Sequence, residues 1–266
     1  MTAAAAAASA LEAEAAQPDA TLEPQALPVA VVSGGSRGLG RVLVERLLAE
    51  DWRVATFSRK ENDFILATTE QYPDAFFWAP ADLGDPRAMQ EFGKAVGRRF
   101  GRCDLLVNNA GVLHQGLFLT TGNDRIETLI ANNLTAPIQL TQACAKLMVR
   151  AGGGSIVNVS SINAIRGFRG VAVYAAAKAG LDGFSRSLAR ELGAFNIRVN
   201  SVIPGYFDSD MTAGVTDVNR EKIQRRTPLG RLGTAQEVAN SILFLASPDA
   251  KFVTGQAFVI DGGITC

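Results

Sequence analysis

Tyr174 and Lys178 stand four residues apart in the run Tyr-Ala-Ala-Ala-Lys-Ala-Gly. On a helix that spacing puts a phenol and an ammonium on one face, one turn apart. A lysine beside a tyrosine favours the phenolate and so lowers a pKa that is about 10 when unperturbed. Such a phenol can donate or accept a proton near neutral pH, as reduction of a carbonyl or oxidation of an alcohol requires. The same spacing is common between solvated surface residues, so the surrounding elements must decide what this pair does.

Those elements read as one domain. The chain has 266 residues, 47% of them apolar, with 26 glycines and no net formal charge. That suits a soluble α/β protein with one substantial core, and it gives no broad electrostatic reason to expect nucleic acid as a partner. Cys103, Cys144 and Cys266 are far apart and His114 is the one histidine. No zinc-like cluster or paired disulfide pattern results, and three free thiols suit a reducing cytoplasm. His114 reads as a loop or pocket-wall residue. No run of apolar residues is long enough to span a membrane. Residues 1–27 are rich in alanine, carry Glu12, Glu14, Asp19 and Glu23, and hold no basic residue. A presequence would need positive charge there, so they read as a flexible tail ahead of a domain over 28–266.

Strands and helices alternate through that domain. A short apolar run over 28–33 leads straight into a glycine-rich turn, then a helical pattern through Leu43, Leu47 and Leu48, then a second strand over 53–58. This is the start of a βαβ unit. Further strands are predicted at 75–79, 104–107, 154–160, 197–202 and 257–260. Helices are predicted at 85–99, 123–149, 173–193 and 234–246, with only an abbreviated helix between 60 and 74. Strands separated by helices imply a parallel sheet covered on both faces, a single doubly wound Rossmann-type α/β domain.

Open sheets of this kind bind ligands beyond the carboxyl ends of their strands. Gly34, Gly38 and Gly40 would let the first turn approach a pyrophosphate, whose charge the following helix N-terminus favours. An acidic residue at the end of the second strand would favour free ribose hydroxyls. Here Ser58 holds that place, followed by Arg59, and Arg37 lies in the glycine turn. Two guanidinium groups suit a 2′-phosphate, although either could simply face solvent. Asp82 follows the third strand, where it could meet an adenine edge, and 108–111 is a small-residue turn after the fourth.

Together these motifs resemble the short-chain dehydrogenase/reductase family over nearly everything from Val29 to Gly263. The turn Ser33-Gly-Gly-Ser-Arg-Gly-Leu-Gly40 is similar to the family's cofactor turn, with Ser33 in place of a frequent threonine. The resemblance implies cofactor contacts at Ser33, Gly34, Ser36, Arg37, Gly38, Leu39, Gly40, Ser58 and Arg59. It implies others at Asp82, Leu83, Asn109, Ala110, Gly111, Pro204, Gly205, Phe207 and Ser209, besides Tyr174 and Lys178. The catalytic group it implies is Asn133, Ser161, Tyr174 and Lys178, with no position missing. Ser161 stands thirteen residues before Tyr174, and its neighbour Ser160 would point to the opposite face of a strand.

In that family pattern NADPH reduces a ketone while Tyr174 supplies the proton, and Ser161 polarises the carbonyl. Lys178 lowers the tyrosine pKa and holds ribose hydroxyls, and Asn133 links the lysine to solvent through backbone geometry and a water. Within the family the chain most resembles 3-oxoacyl-(acyl-carrier-protein) reductases, which implies a 3-oxoacyl thioester substrate and an acyl carrier protein met by Arg166, Arg169, Arg186 and Arg190. The alternative is a free small-molecule ketone or secondary alcohol. Residues 206–228 read as a lid offering Phe207, Met211 and Ile223, with His114, Asn163, Phe168 and Val171 around the pocket. The family pattern also implies a homotetramer built on the long helices and the terminal strands. Leu181, Phe184 and Leu188 would serve either that interface or the sheet.

Overall fold

Alternate residues along each strand face opposite sides of a sheet, and here both sides are apolar. Val31 packs on one side and Val32 on the other, as do Leu106 and Val107, and Ile156 and Val157. A chain with that pattern must cover both faces with helices. In the computed structural model, which describes residues 27–207 and 216–266, it does so. The strands are β1 (Val29–Ser33), β2 (Arg53–Ser58), β3 (Phe76–Pro80), β4 (Leu105–Asn108), β5 (Gly154–Val159), β6 (Ile197–Pro204) and β7 (Ala257–Ile260). They form one sheet in the order β3-β2-β1-β4-β5-β6-β7, and every neighbouring pair is parallel. The order reverses between β1 and β4, which opens a crevice at their carboxyl ends.

The helices are α1 (Gly38–Ala49), α2 (Asp63–Gln71), α3 (Ala88–Phe100), α4 (Asn123–Ile130), α5 (Ala136–Arg150), α6 (Ala172–Leu192), α7 (Asp217–Arg226) and α8 (Ala235–Ala246). Leu43 and Leu47 of α1, Ile65 of α2 and Ile242 and Leu245 of α8 fill one side of the sheet. Met89, Phe92 and Val96 of α3, Leu140, Cys144 and Met148 of α5 and Ala189 of α6 fill the other. The helix predicted between 60 and 74 is the nine-residue α2, short as expected. Part of the predicted lid is present as α7, whose Ile223 packs with Phe168 and Tyr206 against Ile162, Ile203 and Ile264. The tail predicted over 1–27 is described only at Leu27, and Ser209 and Met211 lie outside the described residues.

One predicted element differs. The helix expected over 123–149 is divided by a π-helical segment, Ala131–Thr135, between α4 and α5. Just beyond it stands Pro137, which lacks an N–H and cannot bond the carbonyl of Asn133 one turn back. Single π turns inside α-helices often mark functional sites, and this one holds Asn133.

Candidate active site

The glycine turn is shaped from beneath by side chains. Thr56, fully buried in β2, donates its hydroxyl to Val32 O at 2.6 Å and accepts Gly35 N at 2.9 Å. Sequence reasoning passed over Thr56; a lone hydroxyl inside an apolar strand was the available signal. Ser33 Oγ accepts both Asn109 N and Ala110 N at 2.9 Å, and Asn109 Nδ2 donates to Ser33 O at 2.9 Å. Ser33 and Asn109, expected against the cofactor, thus lock the β1 and β4 turns together. A Cβ at Gly40 would run into the carbonyl of Gly34, so that close approach demands glycine. Leu39 sends its side chain into the core.

Above this floor the helix start is open. Arg37 is the N-cap of α1 and makes no side-chain cap bond, the first turn has no acidic residue, and nothing lies within 4 Å of where a Cβ on Gly38 would stand. The first N–H groups of a helix need partners, and together with the helix dipole they suit an anion such as a pyrophosphate. The turn therefore fits a dinucleotide on its own geometry. Ser36 lies in the same turn, and its carbonyl accepts Asn62 Nδ2 at 3.0 Å.

Where the adenosine side is expected, Arg59 is exposed and lines a cavity of about 410 Å³ with Asp82, Asp85, Arg87 and Glu91. Asp82 Oδ1 accepts Gly84 N at 2.9 Å, which fixes the turn after β3, while Leu83 packs down onto the core.

The residues expected to handle the proton are brought together, in a drier setting than the sequence suggested. Tyr174 is 7% exposed, Lys178 3% and Asn133 0%. Ser161 follows β5 as the cap of a short 3-10 turn, where its Oγ accepts Asn163 N at 3.2 Å, and its hydroxyl shares a hydrogen bond with the Tyr174 phenol. Ser160 turns away and donates to Asp182 Oδ2 at 2.8 Å. Lys178 Nζ donates to Val159 O at 2.7 Å and lies 5.9 Å from the centre of the Tyr174 ring.

The expected lowering of the tyrosine pKa is corrected by this arrangement. Burial pushes the phenol above its ordinary value, and the bond to Ser161 only partly opposes it. Burial also draws the Lys178 ammonium down to about 8 against the favourable field of Asp182. Losing water disfavours both charged forms, and the lysine is tied to a carbonyl rather than to the phenol. Tyr174 therefore keeps its proton through neutral pH.

Asn133 spends its side chain on the loop after β4. Nδ2 donates to Val112 O and Leu129 O, both at 2.9 Å, and Oδ1 accepts Val112 N at 3.1 Å. Only its backbone carbonyl, denied a donor by Pro137, is left for the expected relay. A Cβ at Gly111 would stand 2.6 Å from Asn133 Oδ1 and 3.6 Å from Lys178 Nζ, so the 108–111 turn packs directly under this group.

Pro204 ends β6, and Gly205 N donates to Ile260 O at 2.9 Å; Phe207 pairs with Gly233 in a parallel bridge. Beside Tyr174 lies a crevice of about 10 Å³, room for a single water, lined by His114, Phe118, Leu129 and Val171 among others. His114 and Val171 are where the sequence put them, whereas Phe168 belongs to the cluster around Ile264 and Arg166 Nη1 donates to Ile264 O at 2.7 Å. Leu181 is fully buried within the chain, so it serves the core and not an interface.

Comparison with known proteins agrees with this geometry. The family described as Enoyl-(Acyl carrier protein) reductase matches residues 34–265. The 3-oxoacyl-(acyl-carrier-protein) reductase of Salmonella typhimurium is 36% identical over 242 residues, covering 89% of this chain and 96% of that protein. Carbonyl reductase family member 4 of Xenopus laevis is 39% identical over 236 residues, covering 89% and 97%. Among solved structures, a double mutant of a Serratia marcescens short-chain dehydrogenase/reductase superposes with a TM-score of 0.84 at 34% identity, covering 92% of this chain and 100% of that one.

Proposed function

The chain belongs to the short-chain dehydrogenase/reductase family, and we propose that it is an NADPH-dependent carbonyl reductase converting a 3-oxoacyl thioester to a 3-hydroxyacyl thioester in fatty-acid or polyketide-type metabolism. The observation that carries the reading is a buried Tyr174 brought together with Ser161 and Lys178 at the carboxyl end of the sheet, across from a helix start with no side-chain cap. A nicotinamide cofactor, when bound, supplies the hydride. Tyr174 gives its proton to the alkoxide oxygen that develops on the substrate, and Ser161 donates a hydrogen bond to the same oxygen. Lys178 holds ribose hydroxyls with the ammonium protons not spent on Val159 O. The Asn133 carbonyl accepts the water that returns protons from solvent.

Reduction draws on the protonated phenol, the form that burial favours. The NADPH preference is supported by Arg37 and Arg59 and by the lack of a carboxylate at Ser58. A carrier-linked substrate is supported by the Salmonella relative and by exposed Arg169, Arg186 and Arg190, which suit an acidic carrier protein. A cytoplasmic setting fits Cys103 and Cys144 held as free, buried thiols, and no helix among the described residues is long and apolar enough to cross a membrane. A homotetramer fits the outer edge of β7, the last strand of the sheet, where Val259 is exposed, and the exposed Phe244 and Phe252 elsewhere on the C-terminal part of the chain. The second reading, reduction of a free small-molecule ketone, is favoured by the similarity to the Xenopus carbonyl reductase.

The test follows NADPH absorbance with matched 3-oxoacyl substrates, carrier-linked and free, beside a panel of small ketones. Turnover selective for the carrier-linked thioester is expected. Turnover confined to free ketones would move the assignment to the second reading.

A further inference from the structure

Trp78 sits on the edge strand β3, on the side of the sheet covered by α1 and α2, partly buried against that core. Its indole Nε1 donates to Ser58 Oγ at 2.9 Å. Ser58 Oγ in turn donates to Lys60 O at 2.8 Å. An indole nitrogen can only donate, and a serine hydroxyl has a single proton. The Trp78 bond therefore fills an Oγ lone pair and leaves the Ser58 proton to Lys60, where it closes the turn after β2. Ser58, expected to meet the cofactor, has no proton left to offer a phosphate.

The far end of the same turn is also tied. Asn62 Nδ2 donates to Ser36 O at 3.0 Å, which joins this turn to the glycine turn, while Asn62 Oδ1 caps α2 through Ile65 N at 3.1 Å. Between the two ties Arg59, Lys60 and Glu61 are exposed, and Arg59 borders the cavity at the adenosine side. An arginine on a loose turn would lose the rotamer and backbone freedom of several residues on meeting an anion. On a turn fixed at both ends most of that loss has already occurred during folding, which is how preorganisation raises affinity.

We propose that Trp78 is a positioning residue for cofactor choice, which through Ser58 holds the 58–60 turn so that Arg59 faces the adenosine 2′-phosphate. The inference rests on the NADPH reading. Trp78→Phe keeps an aromatic ring in the packing and deletes the donor, and Ser58→Ala deletes the next link.

Calorimetric titration of NADP+ and of NAD+ into the wild type, both variants, their double variant and Arg59→Ala separates the possibilities without any substrate. Loss of one hydrogen bond in the chain is expected to weaken NADP+ about threefold to tenfold in Trp78→Phe, with NAD+ changed less than about twofold. Ser58→Ala should do the same, and the double variant no more than either, because both act through one link. Arg59→Ala should weaken NADP+ by about tenfold or more, since it removes a charged partner. If Arg59→Ala shows its loss while Trp78→Phe and Ser58→Ala weaken both cofactors equally, or neither, the positioning role is wrong and the NADPH reading stands. If Arg59→Ala leaves the preference for NADP+ intact, both fall.

Discussion

The glycine turn after β1 and the start of α6 face the same end of the sheet but are built by opposite means. The turn recognises with backbone: α1 begins with no side-chain cap, over a floor where added carbon would collide. The proposed proton-handling group is built from side chains, and Asn133, Tyr174 and Lys178 are held in dry surroundings by bonds to the protein. The contrast is sharpest between α1 and its neighbour α8, which pack side by side with Arg46 Nη1 donating to Asn240 Oδ1 at 3.1 Å. Helix α8 satisfies its own N-terminus with a complete capping box, Thr234 with Glu237, and Arg231 holds the Glu237 carboxyl down to about 2. Helix α8 completes its hydrogen bonds internally, whereas α1 makes no side-chain cap bond beside the glycine turn. The turn should therefore be damaged by atoms added, and the proton-handling group by atoms removed.

Gly40→Ala is the severest way to probe the turn. Its new methyl meets the Gly34 carbonyl, and overpacking of this kind should weaken NADP+ binding by about thirtyfold or more in a fluorescence titration. Binding within twofold of the wild type would mean that the turn is not the pyrophosphate cradle. The pH profile sharpens the other half. Burial draws the Lys178 ammonium down to about 8, so the ammonium proposed to hold ribose is lost as pH rises through that value. The kcat/KM for NADPH, which reports the free enzyme, should be level below about pH 8 and fall about tenfold per unit above it. A profile flat to pH 10 would contradict the pairing of a lowered Lys178 with an ammonium needed for cofactor binding. The smallest effect belongs to the capped helix. Thr234→Ala should cost about 1 kcal/mol, seen as a Tm lower by about 2–4 °C, with cofactor affinity unchanged. A matching loss of NADP+ affinity would erase the distinction between the two helix starts.

The backbone half was the more legible in sequence, because glycine spacing and strand-to-helix order are local properties. The run from 28 through the glycine turn to Leu48, and the brevity of α2, could be read directly. Pro137 was also visible within 123–149, and its missing N–H marked a place where the helix could not stay regular. Other features depend on what the fold brings near. Tyr174 and Lys178 are correctly one turn apart, yet the direction of the phenol shift follows from burial, which no spacing of four reveals. Ser58 stands at the strand end as expected, but its proton goes to Lys60 O and a lone pair of its oxygen to Trp78, twenty residues on. Leu181 shows the same limit: helical periodicity marks an apolar face without saying whether a sheet or a second chain covers it.

The central claim is that the Tyr174 phenol delivers the proton in carbonyl reduction. Its most direct test is steady-state turnover of Tyr174→Phe with whichever ketone the wild-type protein reduces, after titration confirms that the variant binds NADP+ and its melting curve confirms that it is folded. Removal of the proton donor should lower kcat about 10²- to 10⁴-fold. A folded, cofactor-binding variant that turned over within about tenfold of the wild type would contradict the account, because an acid contributing less than that is below the ordinary range for general acid catalysis.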